Sequence, residues 1–418
     1  FGCMPFVISG EIPSFTNALF ETISGFTTTG ASILSDVESM SHGMMLWRCF
    51  THWIGGMGVL VFLLAIIPMN SASGSNMNLM KAESPGPSVG KLVPRLKHTA
   101  RILYIIYFGM TVLEIIFLLF GHMSLFDALC TAFGTAGTGG FGIKNDSFAS
   151  FSPYIQWVVT VFMILFGVNF NFYYFVLFRN IRKALSMEEV RTYFLIILTS
   201  VAILFVSLMN TMSNMWDALR HAAFQVASII TTTGYASADF DQWSQTCKTV
   251  LVILMFVGAC AGSTGGGMKV SRLVIMFKTV VKELSSYFHP KNIKKINMDG
   301  KPVEHEVVRA VNVYFITIMG IFTLSVFLVS LEGRDLVTNF TAVASCINNI
   351  GPGLSEVGPT RNFGGLTGFT KYVLMFDMLA GRLELFPLLL IFNPGVYRDM
   401  IMGAWRSIKR RRQERRAN

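Results

Sequence analysis

Charged residues are scarce in this sequence. Only 14% of the 418 residues are Asp, Glu, Lys or Arg, whereas 52% are hydrophobic, and soluble globular proteins carry about 25% charged residues. So few charges cannot cover the surface of the water-soluble domains that this length would otherwise suggest. The composition therefore excludes an ordinary soluble protein and predicts that much of the apolar surface faces lipid.

Cysteine is also sparse and has no metal-binding pattern. The six cysteines are scattered, mostly in apolar surroundings, with no CxxC pair and no zinc spacing, which predicts packing residues. A phosphate-loop motif is missing too. In the Gly-rich run that ends near Lys269, Met268 occupies the place where that motif requires lysine, and no strand precedes the run.

Long apolar runs are what the sequence does contain. A helix needs roughly 20 residues to cross about 30 Å of hydrocarbon, and several runs approach or exceed that length. We therefore expect an all-α polytopic membrane protein. The runs cover about 44–68, 100–121, 153–178, 191–209, 247–281 with an interruption, 310–331 and 369–393.

The basic residues cluster in alternate connections between these runs, at 81–101, 179–191, 269–309 and 398–416, whereas the other connections are acidic overall. The positive-inside rule places the basic loops and the C-terminal tail in the cytoplasm. The formal net charge of +10 therefore reports orientation, and we expect no nucleic-acid partner. The acidic excess on the outer side predicts attraction of cations to an outer mouth.

Four polar clusters, each anchored by a glycine, recur about 100 residues apart. Each follows an amphipathic segment of roughly 10 to 15 residues, which is too short to cross the membrane and is typical of a re-entrant half-helix. Helix-start residues Ser14, Ser124 and Asp335 open three of these segments. The residue six positions before each anchor is small. The anchors are Gly30, Gly140, Gly234 and Gly351, and the small residues are Ser24, Gly134, Ser228 and Ser345.

This pattern predicts four M1-P-M2 repeats (helix, re-entrant pore half-helix, helix) around a pseudo-fourfold pore, with the first repeat truncated at its N-terminus. Irregular backbone at membrane depth is tolerated where it lines a water-filled path, and a ring of carbonyls can replace the hydration shell of a monovalent cation. Four ordinary Gly-rich turns are the alternative. The expected repeats cover 1–80, 81–185, 186–300 and 301–396, followed by a basic cytoplasmic tail at 397–418.

We predict an ion-binding selectivity filter with four residues from each cluster, because carbonyls that face one side demand φ values hostile to residues with a Cβ. The filter residues are Thr28, Thr29, Gly30, Ala31, Thr138, Gly139, Gly140, Phe141, Thr232, Thr233, Gly234, Tyr235, Asn349, Ile350, Gly351 and Pro352.

Five runs together resemble the Trk/Ktr/HKT superfamily of potassium transporters, most closely its bacterial Trk-type membrane subunit: FETISGFTTTGASIL, FGTAGTGGFG, FQVASIITTTGYAS, ASCINNIGPGLSEVG and GACAGSTGGGMKV. The resemblance covers essentially the whole chain. It implies a multi-pass homodimer in the bacterial cytoplasmic membrane, with one K⁺-conducting pore per protomer and K⁺ bound in the filter. It also implies a cytoplasmic, TrkA-like nucleotide-binding ring as regulatory partner, and we expect no covalent cofactor.

Two details of the sequence bear on this resemblance. Trk members usually carry two further spans before the first repeat, so we expect segments that precede Phe1. Glycine at all four anchors is the K⁺-favouring pattern, whereas plant members with serine at the first anchor resemble Na⁺ carriers.

A Gly-rich segment interrupts the fifth apolar run. Each glycine costs about 1 kcal/mol in a helix, so the segment predicts a mobile loop that obstructs the pore below the filter, and the resemblance implies the same gate. A static helix kink is the alternative. The predicted gate residues are Gly262, Ser263, Thr264, Gly265, Gly266, Gly267, Lys269 and Arg382.

Arg382 lies within the last span, beside Glu384. An ionisable residue at such a position costs at least about 2.5 kcal/mol and usually faces a cavity or a partner. One hypothesis is an electrostatic barrier just below the filter. The other is a salt bridge to Asp377 or Glu384 that fixes the last helix.

Two further functions compete with gated K⁺ uptake. An H⁺- or Na⁺-coupled potassium symporter with broken helices is the first, although such folds favour inverted pairs of repeats. An intramembrane enzyme is the second, and it needs a nucleophile and base, or metal ligands, that face each other within the spans. The spans offer no such set, since His52 is the only histidine clearly within one.

Overall fold

The computed structural model describes residues 1–58, 96–288 and 295–383, and these are mostly helical. In chain order the helices are α1 Met4–Ile8, α2 Phe15–Phe26, α3 His42–Gly56, α4 Leu96–Phe120, α5 Leu125–Ala136, α6 Pro153–Phe166, α7 Phe170–Leu177, α8 Ile181–Leu185, α9 Glu188–Met209, α10 Met215–Ile230, α11 Gln245–Met255, α12 Val270–Phe288, α13 His305–Ser330, α14 Leu336–Ile347 and α15 Gly368–Arg382. A short antiparallel hairpin, β1 Asn297–Met298 and β2 Lys301–Pro302, precedes α13.

Three of the described helices are long and apolar enough to cross a membrane: α4 over Arg101–Phe120, α9 and α13. Less than a third of the most apolar stretch of each is buried within the protein, so the remaining apolar surface faces the lipid. The six cysteines are buried and unpaired. These features confirm the prediction of an all-α polytopic membrane protein.

The run at 153–178 is not the single span that the sequence predicts. It divides into α6 and α7, which meet at an angle of 90°. Two contacts explain the break. The Asn169 side chain accepts a hydrogen bond from the Asn171 N–H at 2.9 Å and so caps α7, and the carbonyl of Gly167 accepts from the Cys260 N–H at 3.1 Å instead of continuing a helix.

The four short amphipathic segments form helices α2, α5, α10 and α14, as predicted. Ser124 Oγ accepts from the Asp127 N–H at 3.1 Å, and the Asp335 carboxylate accepts from the Thr338 N–H at 3.0 Å. Ser14 stands at the start of α2 without a capping side-chain hydrogen bond. Asn214, which the sequence pattern did not single out, caps α10 through the Trp216 N–H.

The half-helices connect the repeats in a closed ring. Three of them pack against the helix that follows the half-helix in the preceding repeat: α5 packs against α3, α10 against α6, and α14 against α11. The ring is completed because α2 of the first repeat packs against α15 of the last. Four similar units therefore surround one axis, and the half-helices lie between them.

Parts of several predictions lie outside the described residues. These parts are the second half of the first apolar run, the end of the last one, the repeat boundaries at 80 and 396, Glu384 and the basic tail at 397–418.

Candidate functional site

The four predicted clusters share one backbone conformation. In each, the anchor glycine and the residue two positions before it have positive φ angles. The glycines have φ of 80° at Gly30, 81° at Gly140, 82° at Gly234 and 102° at Gly351, and the earlier residues have 54° at Thr28, 52° at Thr138, 60° at Thr232 and 54° at Asn349. The sequence pattern predicted positive φ angles only at the anchor glycines. The strained backbone of the Thr and Asn residues two positions earlier is a further finding of the structure.

A backbone hydrogen bond holds each cluster to its own half-helix. The N–H of the residue just before the anchor donates to the carbonyl of the small residue that the sequence pattern identified. The bonds are Thr29 to Ser24 at 2.9 Å, Gly139 to Gly134 at 2.8 Å, Thr233 to Ser228 at 2.8 Å and Ile350 to Ser345 at 2.9 Å. Each cluster therefore folds back on the C-terminal end of its half-helix, where the partial negative charge of the helix lies.

The small residues are needed because the clusters pass very close to them. Ser228 Oγ donates to the Tyr235 carbonyl, and Ser345 Oγ donates to the Gly351 carbonyl, both at 2.6 Å. A side chain at Gly134 would overlap the Tyr235 hydroxyl. A larger residue at any of these positions would push the cluster away from its half-helix.

The four clusters touch one another in a ring. A Cβ on Gly30 would collide with the Gly139 carbonyl, one on Gly140 with the Thr233 carbonyl, and one on Gly234 with the Ile350 carbonyl. A Cβ on Gly351 would lie 2.8 Å from the carbonyl oxygen of Thr29, which closes the circle. One cavity of about 120 Å³ is lined by all four anchors. The predicted filter residues thus meet at a single place.

The side chains that line this cavity are basic or neutral. Its charged residues are Arg48, Lys144 and Arg361, and none is Asp or Glu. Acidic residues lie directly beside this lining: Asp36 accepts a hydrogen bond from the side chain of Asn145, a lining residue, at 2.8 Å, which lowers the pKa of Asp36. Glu38 accepts from the Asn145 N–H at 3.0 Å.

The predicted gate segment is an irregular loop rather than a kinked helix. It joins α11 to α12 and lies directly against the inner side of the ring. The Gly266 N–H donates to Thr232 Oγ1 at 2.6 Å, and a Cβ on Gly266 would lie 2.7 Å from that of Asn349. Lys269, fully buried and with a φ of 77°, donates from Nζ to the Gly265 carbonyl. The loop therefore contacts two of the four clusters.

Arg382 connects this loop to the first repeat. Its Nη1 donates to the Thr264 carbonyl at 2.8 Å, and its Nη2 donates to the carbonyls of Gly55 at 2.5 Å and Gly56 at 3.0 Å. Asp377, one of its two predicted partners, instead accepts from Ser325 Oγ at 2.7 Å. Arg382 thus lies in contact with the loop and places its charge at the inner end of the ring.

Sequence reasoning missed the residue that secures both ends of the loop. Glu189, which is 3% exposed, accepts hydrogen bonds from the Ala261 N–H at 2.5 Å and the Ser271 N–H at 3.1 Å. Asn169 also donates to it, at 3.3 Å. An acidic residue within a predicted span is a signal of function or of a buried partner, but Glu189 stands at the edge of a basic connection, where charges are common.

Within residues 1–58, 96–288 and 295–383, no group of three or more His, Cys, Asp or Glu side chains is placed to hold a metal ion. The hydrogen-bonding groups at the loop are backbone carbonyls and amides together with the charged side chains of Glu189, Lys269 and Arg382.

Comparisons with known proteins agree with this geometry. The chain is 35% identical over 407 residues to the Trk system potassium uptake protein TrkH of Salmonella typhimurium. The match covers 95% of this chain and 83% of that protein. It is 33% identical to the Trk system potassium uptake protein TrkI of Halomonas elongata, over 96% of this chain and 81% of that protein.

A solved structure has the same architecture. The crystal structure of the potassium transporter TrkH from Vibrio parahaemolyticus matches with a TM-score of 0.82 and 32% identity, over 94% of this chain and 82% of that chain. The family described as TrkH, cation transport protein, matches residues 3–401. On this evidence the chain belongs to the TrkH family of cation transport proteins.

Proposed function

We propose that the chain takes up potassium ions across a membrane through the ring of four clusters. The observation that carries the proposal is the closed circle of contacts among Gly30, Gly140, Gly234 and Gly351 around one cavity. Backbone carbonyls in such a ring replace the water that a K⁺ ion loses on entering. The relatives named as potassium uptake proteins support K⁺ as the transported ion.

The sixteen predicted filter residues, from Thr28 to Pro352, are proposed to bind K⁺ mainly through their carbonyl oxygens. The side chains hold the backbone in place. In the first and third repeats a pair of hydroxyls lies behind the cluster, with Thr27 Oγ1 2.8 Å from Thr29 Oγ1 and Thr231 Oγ1 2.7 Å from Thr233 Oγ1. The C-terminal ends of the half-helices add negative potential at the ring.

The loop from Gly262 to Lys269 is proposed as the gate. It lies against the inner side of the ring, and Arg382 holds it to the first repeat. An ion that leaves the ring toward the cytoplasm meets the partly buried Arg382 and the buried Lys269 as well as the loop itself. Movement of the loop away from the axis would remove both the obstruction and part of the repulsion.

The protein is proposed to act as a homodimer in the bacterial cytoplasmic membrane, with its basic connections in the cytoplasm and a nucleotide-binding, TrkA-like ring as the regulatory partner. The relatives are bacterial proteins of the Trk system. The one-sided distribution of Lys and Arg supports this orientation.

A second candidate is ion-coupled potassium symport, and one observation favours it. Glu114 is fully buried in α4, and an intramembrane carboxyl group is a possible proton-binding site. Proton-coupled transport would make K⁺ uptake depend on a pH gradient, whereas a channel-like path would not.

The test is K⁺ flux into liposomes that contain the purified chain, compared with Rb⁺ and Na⁺ flux and repeated with and without a pH gradient. We expect K⁺ and Rb⁺ to pass in preference to Na⁺, without coupling. Gly234→Ala should abolish the preference, because its Cβ would collide with the Ile350 carbonyl. Gly320→Ala is the matched control, since no atom lies within 4 Å of a Cβ at Gly320. Equal flux of all three ions through the unaltered protein would refute the proposal.

A further inference from the structure

The second cluster differs from the others in what lies behind it. In the first and third clusters two threonines pair their hydroxyls, Thr27 with Thr29 and Thr231 with Thr233. The corresponding positions of the second cluster are both glycine, Gly137 and Gly139. The second cluster therefore lacks the side chains that fill the space behind the ring in its two closest counterparts.

His52 of the preceding repeat occupies that space. A Cβ built on Gly139 would fall among the atoms of the His52 ring, with Cδ2 2.6 Å away. The His52 imidazole is fully buried, and its centroid lies 4.0 Å from that of the Phe141 phenyl ring. The side chain that the second cluster lacks is thus supplied from α3, one repeat earlier in the chain.

Both nitrogens of His52 are used to hold backbone. Nδ1 lies 2.9 Å from the Gly25 carbonyl, and Nε2 lies 3.3 Å from the Phe141 N–H. A carbonyl only accepts and an N–H only donates, so the imidazole of His52 is neutral with its proton on Nδ1. The imidazole therefore connects the half-helix of the first repeat to the cluster of the second.

We propose that His52 is a positioning residue for ion selectivity, which takes the place of the missing side chain at Gly139 and fixes the Gly139–Phe141 backbone at the ring. The inference rests on the proposed function. Without the imidazole, the backbone at Gly139 and Gly140 has no side chain behind it, so the circle of four clusters is free to widen. A wider circle distinguishes K⁺ from Na⁺ less well.

The experiment is a double-mutant cycle between His52→Ala and Gly139→Thr, read as the ratio of K⁺ to Na⁺ flux in liposomes. His52→Ala should lower the ratio about tenfold, which corresponds to the loss of one buried hydrogen bond worth about 1.4 kcal/mol. Gly139→Thr alone should reduce folded protein, because threonine overlaps the imidazole. The double variant should regain selectivity, since threonine then fills the vacated space as Thr29 and Thr233 do.

A control variant keeps the result unambiguous. His42→Ala, at the exposed start of the same helix, should leave the ratio unchanged. Gly137 is not a suitable site for the rescue, because a Cβ there would meet the His52 carbonyl. If His52→Ala does not fold, the double variant decides: a folded and selective double supports the proposal, and a folded but unselective one overturns it.

An unchanged flux ratio in His52→Ala, or a double variant no better than the worse single, would also overturn the inference. Failure of the proposed function is distinguishable, because the unaltered protein would then show no preference for K⁺ at all.

Discussion

At the scale of single residues, Glu21 and Arg48 form a buried ion pair within the first repeat that also contacts the second. The Arg48 Nε lies 2.7 Å from the Glu21 carboxylate, and both side chains are almost fully buried. Arg48 also donates to the Gly142 carbonyl at 3.0 Å, and its guanidinium lies 3.6 Å from the centroid of the Phe141 ring. The carboxylate of Glu21 accepts from the Ile33 N–H at 3.0 Å. The pair therefore braces the outer ends of the first and second clusters.

Glu21→Gln should destabilise the protein by about 3 to 5 kcal/mol, because removing one member leaves the other as a buried, uncompensated charge. The double variant Glu21→Gln/Arg48→Met should recover much of this loss, since no buried charge remains. Thermal unfolding of the detergent-solubilised chain measures both.

Asp217→Asn is the control, because it breaks a more exposed pair, Arg220 with Asp217, of a kind worth about 0.2 to 1 kcal/mol. An equal loss of stability in Glu21→Gln and Asp217→Asn would contradict the expected difference.

At the scale of secondary-structure elements, the loop between α11 and α12 is held by three side chains. Glu189 binds its two ends, Thr232 binds its middle, and Arg382 binds the Thr264 carbonyl. The contacts from Glu189 and Thr232 come from the third repeat, and the contact from Arg382 comes from the fourth. The Phe170 N–H of the second repeat also donates to the Gly262 carbonyl at 2.9 Å, and Arg382 links the loop to the first repeat through Gly55 and Gly56. A loop linked to every repeat is well placed to respond to a movement of any of them.

Arg382→Ala should raise basal K⁺ flux about tenfold, which corresponds to a barrier lower by about 1.4 kcal/mol, because it removes both a charge near the axis and the contact that holds the loop. Deletion of Gly262–Gly267 should raise the flux at least as much. Single-channel recording in a planar bilayer measures conductance and open probability separately.

Arg382→Lys, which keeps the charge but cannot span three carbonyls, separates the two effects. It should keep conductance low while open probability rises. Unchanged current from Arg382→Ala together with a loss of folded protein would favour a purely structural role for this residue.

The elements that the sequence predicts best are those with a local signal. Length, amphipathicity and caps such as Ser124 predict the half-helices. The glycines predict the clusters, because their positive φ is a local requirement. Contacts between repeats leave no local signal. The break at Gly167 depends on the loop that packs there, Glu189 acts on residues more than seventy positions away, and His52 fills a space that only the folded ring creates.

At the scale of the whole molecule, the charges form two layers around the ring. Arg382 and Lys269 lie on the side of the ring that the loop contacts, and Arg48, Lys144 and Arg361 line the cavity at the four anchors. Glu21 compensates Arg48. Lys144 donates to Ser150 Oγ at 3.0 Å, which leaves its charge in place at the mouth. The charged side chains that line the cavity are therefore all positive, with Asp36 beside them on Asn145.

This arrangement predicts that neutralising the mouth speeds K⁺ uptake, the opposite of what an acidic mouth would imply. Two unit charges about 10 Å apart repel by about 0.4 kcal/mol in water, so Lys144→Gln and Arg361→Gln should each raise the rate by about twofold at low ionic strength. The gain should vanish near 1 M salt, where the Debye length is about 3 Å. Initial rates of Rb⁺ uptake at the two ionic strengths measure this gain.

Lys248→Gln is the control, because it removes the same charge beside Asp241 but outside the cavity lining. It should have no such effect. A gain that persists at high salt would show that the substitutions act on the shape of the mouth rather than on its charge.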